Sequence, residues 1–281
     1  DWSSDVCSSD LPDGRWLHPL VQLVVARQQG KTTFMKQRIL MGLFEWDNKL
    51  QIGTAHRLTT SLETFRDLVQ TIEGNDGLAK QVKRIRWAHG SEEIECLNGN
   101  RYMVKAGASA ARGISKPSTV HIDETRELKD ESTWASLRYT MMAAENPQLW
   151  SYSNAGDQHS IVLNRMRERG LAAAAGSDDP IGWFEWSAPM EVQIGDTPEF
   201  WEAVRYSNPS LGYTVHPDNL RAILNDEESI VRTEVLCQWV SQINPAINPS
   251  LWDACGDESA ELDQDQETWM AIDLSPDRRA A

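Results

Sequence analysis

The sequence predicts an α/β fold in which a mostly parallel β-sheet carries helices on both faces. The main observation is that the segment 20–155 alternates short apolar runs with stretches of helical periodicity. A second observation is that two of the apolar runs end in polar motifs that belong at the carboxyl edge of a parallel sheet. A third is an Asn-Gly pair between two alternating runs, which adds an antiparallel hairpin.

The elements of this segment follow in order along the chain. The apolar runs predict strands at 20–25, 50–55, 119–122 and 148–152. The helical patterns predict helices at 33–46, at 60–73 from a capping box over Thr60–Glu63, at 131–144 and at 159–171. The hairpin pairs 93–97 with 101–105.

The chain changes character after residue 172. A flexible joint is expected at 172–180, after which tryptophans and acidic residues dominate. Helices are expected at 217–225 and 227–239, and a final strand at 269–274. The composition therefore indicates a change of character at about residue 172.

The overall composition is that of an ordinary globular protein. Of the 281 residues, 40% are hydrophobic and 25% are charged. No apolar run approaches the roughly 20 residues that a membrane span needs, so no membrane partner is expected. Cys7, Cys96, Cys237 and Cys255 show no C-x-x-C spacing and no cluster with histidine, which favours reduced thiols in a cytosolic protein over a zinc site.

The net charge of −15 is unevenly distributed. Residues 12–116 carry 16 Lys and Arg against 10 Asp and Glu, whereas residues 117–281 carry 11 against 29. The basic part includes a cluster formed by Lys80, Lys83, Arg84 and Arg86. We interpret this cluster as a solvated face, with a nucleic-acid contact as the sharper alternative.

The two ends of the sequence do not look like natural ends. Residues 1–11 match one translated reading frame of a common sequencing adapter, so we expect an artefact there and leave them out of the fold. The C-terminus follows directly on the expected strand at 269–274. The chain is therefore expected to be a fragment cut at both ends.

A phosphate-binding loop is predicted between the first strand and the first helix. Residues 26–33 read Ala-Arg-Gln-Gln-Gly-Lys-Thr-Thr, which fits the pattern G-x-x-x-x-G-K-[ST] except that Val25 replaces its first glycine. In such a loop, backbone N–H groups at the helix N-terminus bind phosphate, Lys31 reaches the β- and γ-phosphates, and the Thr32 hydroxyl holds Mg²⁺. The order of strand, loop and helix thus predicts a site for ATP and Mg²⁺.

Two further strand ends carry polar residues that such a site needs. The apolar strand at 119–122 leads into Asp123, which would hold Mg²⁺ through its water shell, and Glu124, which would polarise the attacking water. Ser153 and Asn154 follow the strand at 148–152 and would sense the γ-phosphate and couple hydrolysis to movement, although a plain strand-to-loop cap fits them equally well. Each motif alone is weak, but their joint occurrence in this order favours an ATPase.

These motifs resemble those of the large terminase subunit of tailed bacteriophages, the ATP-driven DNA-packaging motor. The resemblance covers nearly all of residues 20–281. It rests on the loop Arg27-Gln28-Gln29-Gly30-Lys31-Thr32, on Arg112-Gly113, on Val120-His121-Ile122-Asp123-Glu124, on Ser153-Asn154-Ala155-Gly156, on Asn208-Pro209-Ser210-Leu211-Gly212 and on Ala271-Ile272-Asp273-Leu274-Ser275.

The resemblance implies three functional parts. They are a P-loop NTPase-type ATPase domain at 12–172, a linker region at 173–265, and the first strand of a truncated nuclease domain with a ribonuclease H-like fold at 266–281. Asp273 matches the first metal-binding carboxylate of that nuclease. Cleavage on a pair of divalent metal ions needs further carboxylates, so endonuclease activity is expected only in the full-length protein.

The resemblance also implies roles for single residues and a set of partners. The expected site consists of catalytic Glu124, Lys31 and Arg27, nucleotide-binding Gln28, Gln29, Gly30, Lys31, Thr32 and Thr33, metal-binding Thr32, Asp123 and Asp273, and coupling residues Ser153 and Asn154. Arg27 and Arg112 are both candidates for a phosphate contact. The expected partners are double-stranded DNA, a portal protein, a small terminase subunit and further copies in a homo-oligomeric ring, in the host cell cytoplasm while the procapsid is filled.

Two other interpretations stay open at this stage. A helicase-like translocase would use the same ATPase chemistry for a different task. A degenerate P-loop domain would serve as a non-enzymatic assembly module, and Val25 in place of glycine is the best support for it.

Overall fold

The computed structural model describes residues 13–46, 48–87, 92–105, 114, 116–240 and 255–256. The chain divides into two compact units, Asp1–Ile243 and Asn244–Ala281. The helices and strands of the described residues all lie in the first unit. The strand expected at 269–274, with Asp273, lies outside the described residues, as does Arg112.

The first unit is built on one sheet, which has eight strands among the described residues. In chain order they are β1 (Leu20–Val25), β2 (Leu50–Ala55), β3 (Val82–Arg86), β4 (Glu93–Cys96), β5 (Arg101–Val104), β6 (Thr119–Asp123), β7 (Gln148–Ser153) and β8 (Ile181–Trp186). Their spatial order is β3-β4-β5-β2-β6-β7-β1-β8. In this spatial order, all neighbouring strands from β5 through β2, β6, β7 and β1 to β8 are parallel. In contrast, β4 is antiparallel to both of its neighbours.

Eight α-helices accompany this sheet in the described part of the chain. They are α1 (Lys31–Phe44), α2 (Leu58–Glu73), α3 (Asp76–Ala79), α4 (Glu131–Thr140), α5 (Ile161–Ala174), α6 (Pro198–Ser207), α7 (Pro217–Ala222) and α8 (Glu228–Glu234), with a short 3-10 helix at Thr125–Glu127. None of the helices in the described ranges is long and apolar enough to cross a membrane.

Helices cover both faces of the sheet. Alternate residues of a strand point to opposite faces. On one face, Val21 and Leu23 of β1 share a buried core with residues of α1 and α2. On the other, Leu20 shares a second core with residues of α4 and α5. The predicted fold class, a mostly parallel sheet between two layers of helices with an antiparallel hairpin, is therefore confirmed.

The element predictions included six of the eight described strands of the sheet and missed its two edge strands. The strands at 20–25 and 50–55 and the Asn-Gly hairpin are present where they were expected. The capping box was wrong, because α2 already begins at Leu58 and has no side-chain cap. β3 was missed because charged residues interrupt its pattern, and β8 because its aromatic residues looked like the start of a different region.

The segment after β8 forms a small helical module, defined here as residues 187–240. Its own core contains Phe200, Trp201 and Val204 of α6 and Val231 of α8. The expected domain boundary at residue 172 falls inside α5, and β8 beyond it pairs with β1. The sheet thus continues past that boundary, and the helical module follows directly from its last strand.

The basic cluster lies mainly on edge strand β3 and is paired with acidic residues of β4. Lys83 and Arg84 form ion pairs with Glu95, both at 2.7 Å. Arg86 binds Glu93 at 2.9 Å. Lys83, Arg84 and Arg86 are exposed on this edge strand, which fits the interpretation of a solvated face.

Candidate functional site

Two residues of the loop between β1 and α1 have left-handed backbone conformations. Gly30 caps α1 with a φ of +84°, which only glycine adopts without strain, and Gln28 also has a positive φ, +60°. Val25, where the motif has glycine, is fully buried and pairs with Trp186 in regular parallel register. A side chain is accommodated there because the strand simply continues through this position.

Lys31 is folded back onto this loop. Its Nζ donates to the carbonyl oxygens of Val25 and Ala26, both at 2.8 Å. Burial lowers the pKa of Lys31 to about 8, against the opposing influence of Cys237, Asp123 and Glu234. The ammonium group of Lys31 therefore lies against the loop that precedes α1. The first backbone N–H groups of a helix have no partner within the helix.

The end of β6 places Asp123 and Glu124 beside the loop. Asp123 is buried, and its Oδ1 accepts a hydrogen bond from the Glu124 backbone N–H at 3.0 Å. Burial raises the pKa of Asp123 to about 6, and the Glu124 charge adds to this, whereas the hydrogen bond from the Glu124 backbone N–H and the attraction of Lys31 oppose it. Glu124 adopts a left-handed conformation, φ 55° and ψ 50°, which is a strained backbone geometry for a residue with a side chain.

The predicted site residues line one cleft with a volume of about 810 Å³. The cleft brings together Arg27, Gln28, Gln29, Gly30, Lys31, Thr32, Thr33, Asp123, Glu124, Ser153 and Asn154. It opens at the carboxyl ends of β1, β6 and β7, where ligands bind in open α/β sheets. Of the residues considered for the site, Asp273 and Arg112 lie outside the described part of the chain.

The donor set of the cleft fits a nucleotide-bound Mg²⁺. The described residues contain no cluster of three or more His, Cys, Asp or Glu side chains that would hold a metal ion by themselves. Mg²⁺ at a nucleotide needs only one or two protein ligands, because phosphates and water supply the others. The buried Asp123 carboxylate, together with the Thr32 hydroxyl, provides such a set.

Three charged residues at the cleft, Arg126, Glu127 and Glu234, were missed by the sequence analysis. Glu234, at the end of α8, accepts hydrogen bonds from Arg126 at 2.8 Å and from Asn154 at 2.8 Å, and pairs with Arg27 at 3.5 Å. Burial lowers the pKa of Arg126, but the attraction and hydrogen bonds of Glu234 and Glu127 together outweigh it, and the net direction is upward. No local signal marks Glu234, because its partners lie 80 to 207 residues away in sequence.

The helical module is also attached to the loop through Gln29. The Gln29 amide donates to Asn208 Oδ1 and accepts from the Ser210 backbone N–H, both at 2.8 Å. Asn208 in turn donates to the Val235 carbonyl at 2.7 Å. The Gln29 side chain is therefore occupied by the module, and a phosphate contact from this residue would come from its backbone.

Comparison with known proteins gives a fold likeness. No family model and no curated protein matches the sequence. The HK97 bacteriophage large terminase has a TM-score of 0.68 at 22% identity, covering 88% of this chain and 51% of that one. A large terminase from a thermophilic bacteriophage in complex with ADP has a TM-score of 0.54 at 12% identity, covering 79% and 48%. The Thermus phage P74-26 large terminase ATPase domain has a TM-score of 0.55 at 14% identity, covering 79% of this chain and 88% of that one.

These likenesses define which part of those proteins this chain resembles. The chain spans about half the length of the HK97 and thermophilic-phage terminases, but most of the length of the isolated ATPase domain. At sequence identities under 25%, these comparisons show the fold, and the chemistry has to be argued from the residues of the cleft. The chain therefore has the fold of the ATPase domain of bacteriophage large terminases.

Proposed function

We propose that this chain is the ATPase part of a phage DNA-packaging motor. The observation that carries the proposal is the convergence of the loop, the Asp123–Glu124 pair and Asn154 in one cleft, on the fold of large terminases. Solved neighbours hold ADP and ATP-gamma-S, which supports a nucleotide as ligand. ATP hydrolysis would power the translocation of viral DNA into a procapsid.

The proposed roles follow from the chemistry of each group. Lys31 would leave the Val25 and Ala26 carbonyls to bind the β- and γ-phosphates, while backbone N–H groups of 28–33 surround them. Thr32 and Asp123 would hold Mg²⁺, and Glu124 would orient the attacking water. Arg27 would stabilise charge on the transferred phosphoryl group. Ser153 and Asn154 would sense the γ-phosphate.

The remaining parts of the proposal concern the whole protein. The partners would be double-stranded DNA, a portal protein, a small terminase subunit and further copies in a ring, in the host cell cytoplasm. Asp273 would begin a nuclease site for a pair of divalent ions, completed by carboxylates outside this sequence. The domain assignment at 12–172, 173–265 and 266–281 belongs to the same proposal, with its first boundary moved past β8, which pairs with β1.

Replacing Glu124 by Gln tests the assignment of the catalytic base. The change removes a charge and keeps the shape, so we expect Glu124→Gln to bind Mg-ATP normally and to lose at least about 100-fold in turnover. Binding is measured by calorimetry and turnover by phosphate release, with Glu127→Gln, at the same cleft, as the matched control. Normal hydrolysis by Glu124→Gln would refute the assignment.

A Lys31→Ala titration separates the ATPase from a non-enzymatic assembly module. If Lys31 binds phosphate, nucleotide affinity falls by about 100-fold in the variant, the effect of losing a charge-assisted contact. Nucleotide binding that does not depend on Lys31 would favour the module. The main support for that alternative is weakened, because Val25 lies in a regular strand where no glycine is needed.

A further inference from the structure

The turn that follows β6 holds Glu124 in a backbone conformation that it would not favour by itself. Its φ of 55° and ψ of 50° are left-handed, and a residue with a side chain keeps such angles only where its surroundings fix them. One fixing contact comes from the preceding residue, because Asp123 Oδ1 accepts the Glu124 backbone N–H at 3.0 Å. The backbone angles of Glu124 in turn set the direction in which its carboxylate leaves the chain.

The end of the neighbouring strand β7 fixes the same turn from the other side. Ser153 Oγ accepts a hydrogen bond from the Arg126 backbone N–H at 3.1 Å. Thr125 Oγ1 donates to the Tyr152 carbonyl at 3.4 Å. β6 and β7 are parallel neighbours up to this point, so these two bonds continue their connection beyond the paired residues. Both residues that follow Glu124 are therefore tied to β7.

The Ser153 hydroxyl is buried at this turn. Ser153 borders the cleft but is only 1% exposed, whereas Asn154 beside it is half-buried. A hydroxyl group can accept one hydrogen bond and donate another, so acceptance from Arg126 is compatible with a second partner. The bond to the Arg126 backbone needs only the two strand ends. Ser153 thus acts on the turn at Glu124 whichever ligand enters the cleft.

We propose that Ser153 is a positioning residue that fixes the left-handed turn at Glu124 and so orients the catalytic carboxylate toward the attacking water. The inference rests on the proposed function and narrows it, because sensing of the γ-phosphate is left to Asn154. Orientation matters because a general base acts only within hydrogen-bond reach of its water, and a displacement of about 1 Å can cost about 100-fold in rate. Without the Ser153 hydroxyl, the Arg126 N–H loses its acceptor and the turn is free to relax.

The test removes the hydroxyl and compares turnover with nucleotide affinity. Ser153→Ala is expected to lower kcat about tenfold and to leave the dissociation constants of Mg-ATPγS and Mg-ADP within about twofold of wild type. Phosphate release and calorimetry on the full chain measure these quantities. The matched control is Ser151→Ala, because Ser151 is also a buried serine of β7 but bonds to Gln22, and its kcat should stay at the wild-type value.

The two affinities separate positioning from sensing. A residue that contacts the γ-phosphate would, when removed, weaken the binding of Mg-ATPγS and spare that of Mg-ADP. A tenfold loss of affinity for Mg-ATPγS alone in Ser153→Ala would therefore overturn the proposal. An unchanged kcat would overturn it as well.

A double variant tests whether Ser153 acts through Glu124. If it does, adding Ser153→Ala to Glu124→Gln should leave turnover within about twofold of Glu124→Gln alone, because the base that Ser153 orients is already absent. Losses that multiply would show that Ser153 acts on the reaction independently of Glu124, and would refute its role as a positioning residue.

A second variant covers the case in which Ser153→Ala does not fold, which circular dichroism checks. Ser153→Cys keeps the shape of the side chain and replaces the hydroxyl with a much weaker acceptor. We expect its kcat to fall at least about threefold, with both affinities within about twofold of wild type. A wild-type kcat in this variant would contradict the inference.

The outcomes also separate this inference from the proposed function. Hydrolysis that depends on Glu124, together with normal turnover in Ser153→Ala, refutes the role of Ser153 and leaves the ATPase in place. If the wild-type chain releases no phosphate from ATP, both fail together.

Discussion

At the scale of single residues, two of the four described non-glycine residues with positive φ lie at the cleft. Gln28 and Glu124 both have positive φ, at 60° and 55°. A left-handed conformation costs a residue with a side chain about 1–2 kcal/mol. Both residues line the cleft, so these two strained conformations lie where a ligand would bind. Neither conformation is readable from the sequence, because Gln and Glu carry no preference for it.

Lys31 gives a prediction for the pH dependence of nucleotide binding. Burial lowers the pKa of the free protein's Lys31 to about 8. Bound phosphates favour the protonated form and raise this pKa, so binding takes up a proton above pH 8. We expect the affinity for Mg-ADP to be flat from pH 7 to 8 and then to fall by up to about tenfold per pH unit.

The Lys31→Arg variant is the control for that measurement. Arginine keeps its charge throughout this range, so the variant should show no loss of affinity between pH 8 and 9.5. Calorimetric titration at several pH values measures both proteins. An identical slope in wild type and variant would mean that another group titrates.

At the scale of elements, α5 and β8 meet at a glycine. A Cβ added to Gly170 would lie 2.4 Å from the Trp183 ring. Trp183 Nε1 also donates to Glu185 at 2.9 Å, so the ring has little freedom to move away. Gly170 therefore lets α5 and β8 approach closely. The sequence analysis did not identify this role, because Gly170 lies within a continuous helical pattern.

The substitution Gly170→Ala tests that packing. Alanine favours a helix over glycine by about 1 kcal/mol, but the clash with Trp183 is expected to outweigh this gain and destabilise the protein by about 1–3 kcal/mol. Urea unfolding measures the free energy, and Leu171→Ala, at a half-exposed neighbour in the same helix, should change it little. A stability equal to or above wild type would show that Trp183 relaxes without cost.

At the scale of the whole molecule, the sheet and the helical module are tied together at Glu185. This carboxylate accepts hydrogen bonds from Arg167 of α5 and from Trp183, Ser187 and Trp239. Burial raises the pKa of Glu185, but the bond from Arg167, together with those from Ser187 and Trp239, more than offsets it and the pKa stays below its usual value. The last described stretch of the module is thus anchored beside the edge strand β8.

Nucleotide binding should stabilise the folded molecule as a whole. A ligand at 100 times its dissociation constant adds about 2.7 kcal/mol, which corresponds to roughly 5–10 °C in Tm for a unit of this size. Scanning fluorimetry with Mg-ADP measures the shift, and Lys31→Ala should abolish most of it. An unchanged Tm in wild type at saturating nucleotide would contradict the proposed site.

Sequence patterns alone specify six of the described strands, the Asn-Gly hairpin among them, and the position of the loop between β1 and α1. Apolar periodicity and local motifs specify these features within a few neighbouring positions, as β1, β2 and the Asn-Gly turn show. Two features are visible only in the folded chain: β8 extends the sheet, and Glu234 forms ion pairs with Arg27 and Arg126. Parallel pairing and ion pairs over 80 to 207 residues depend on how the chain packs, and no local pattern records them.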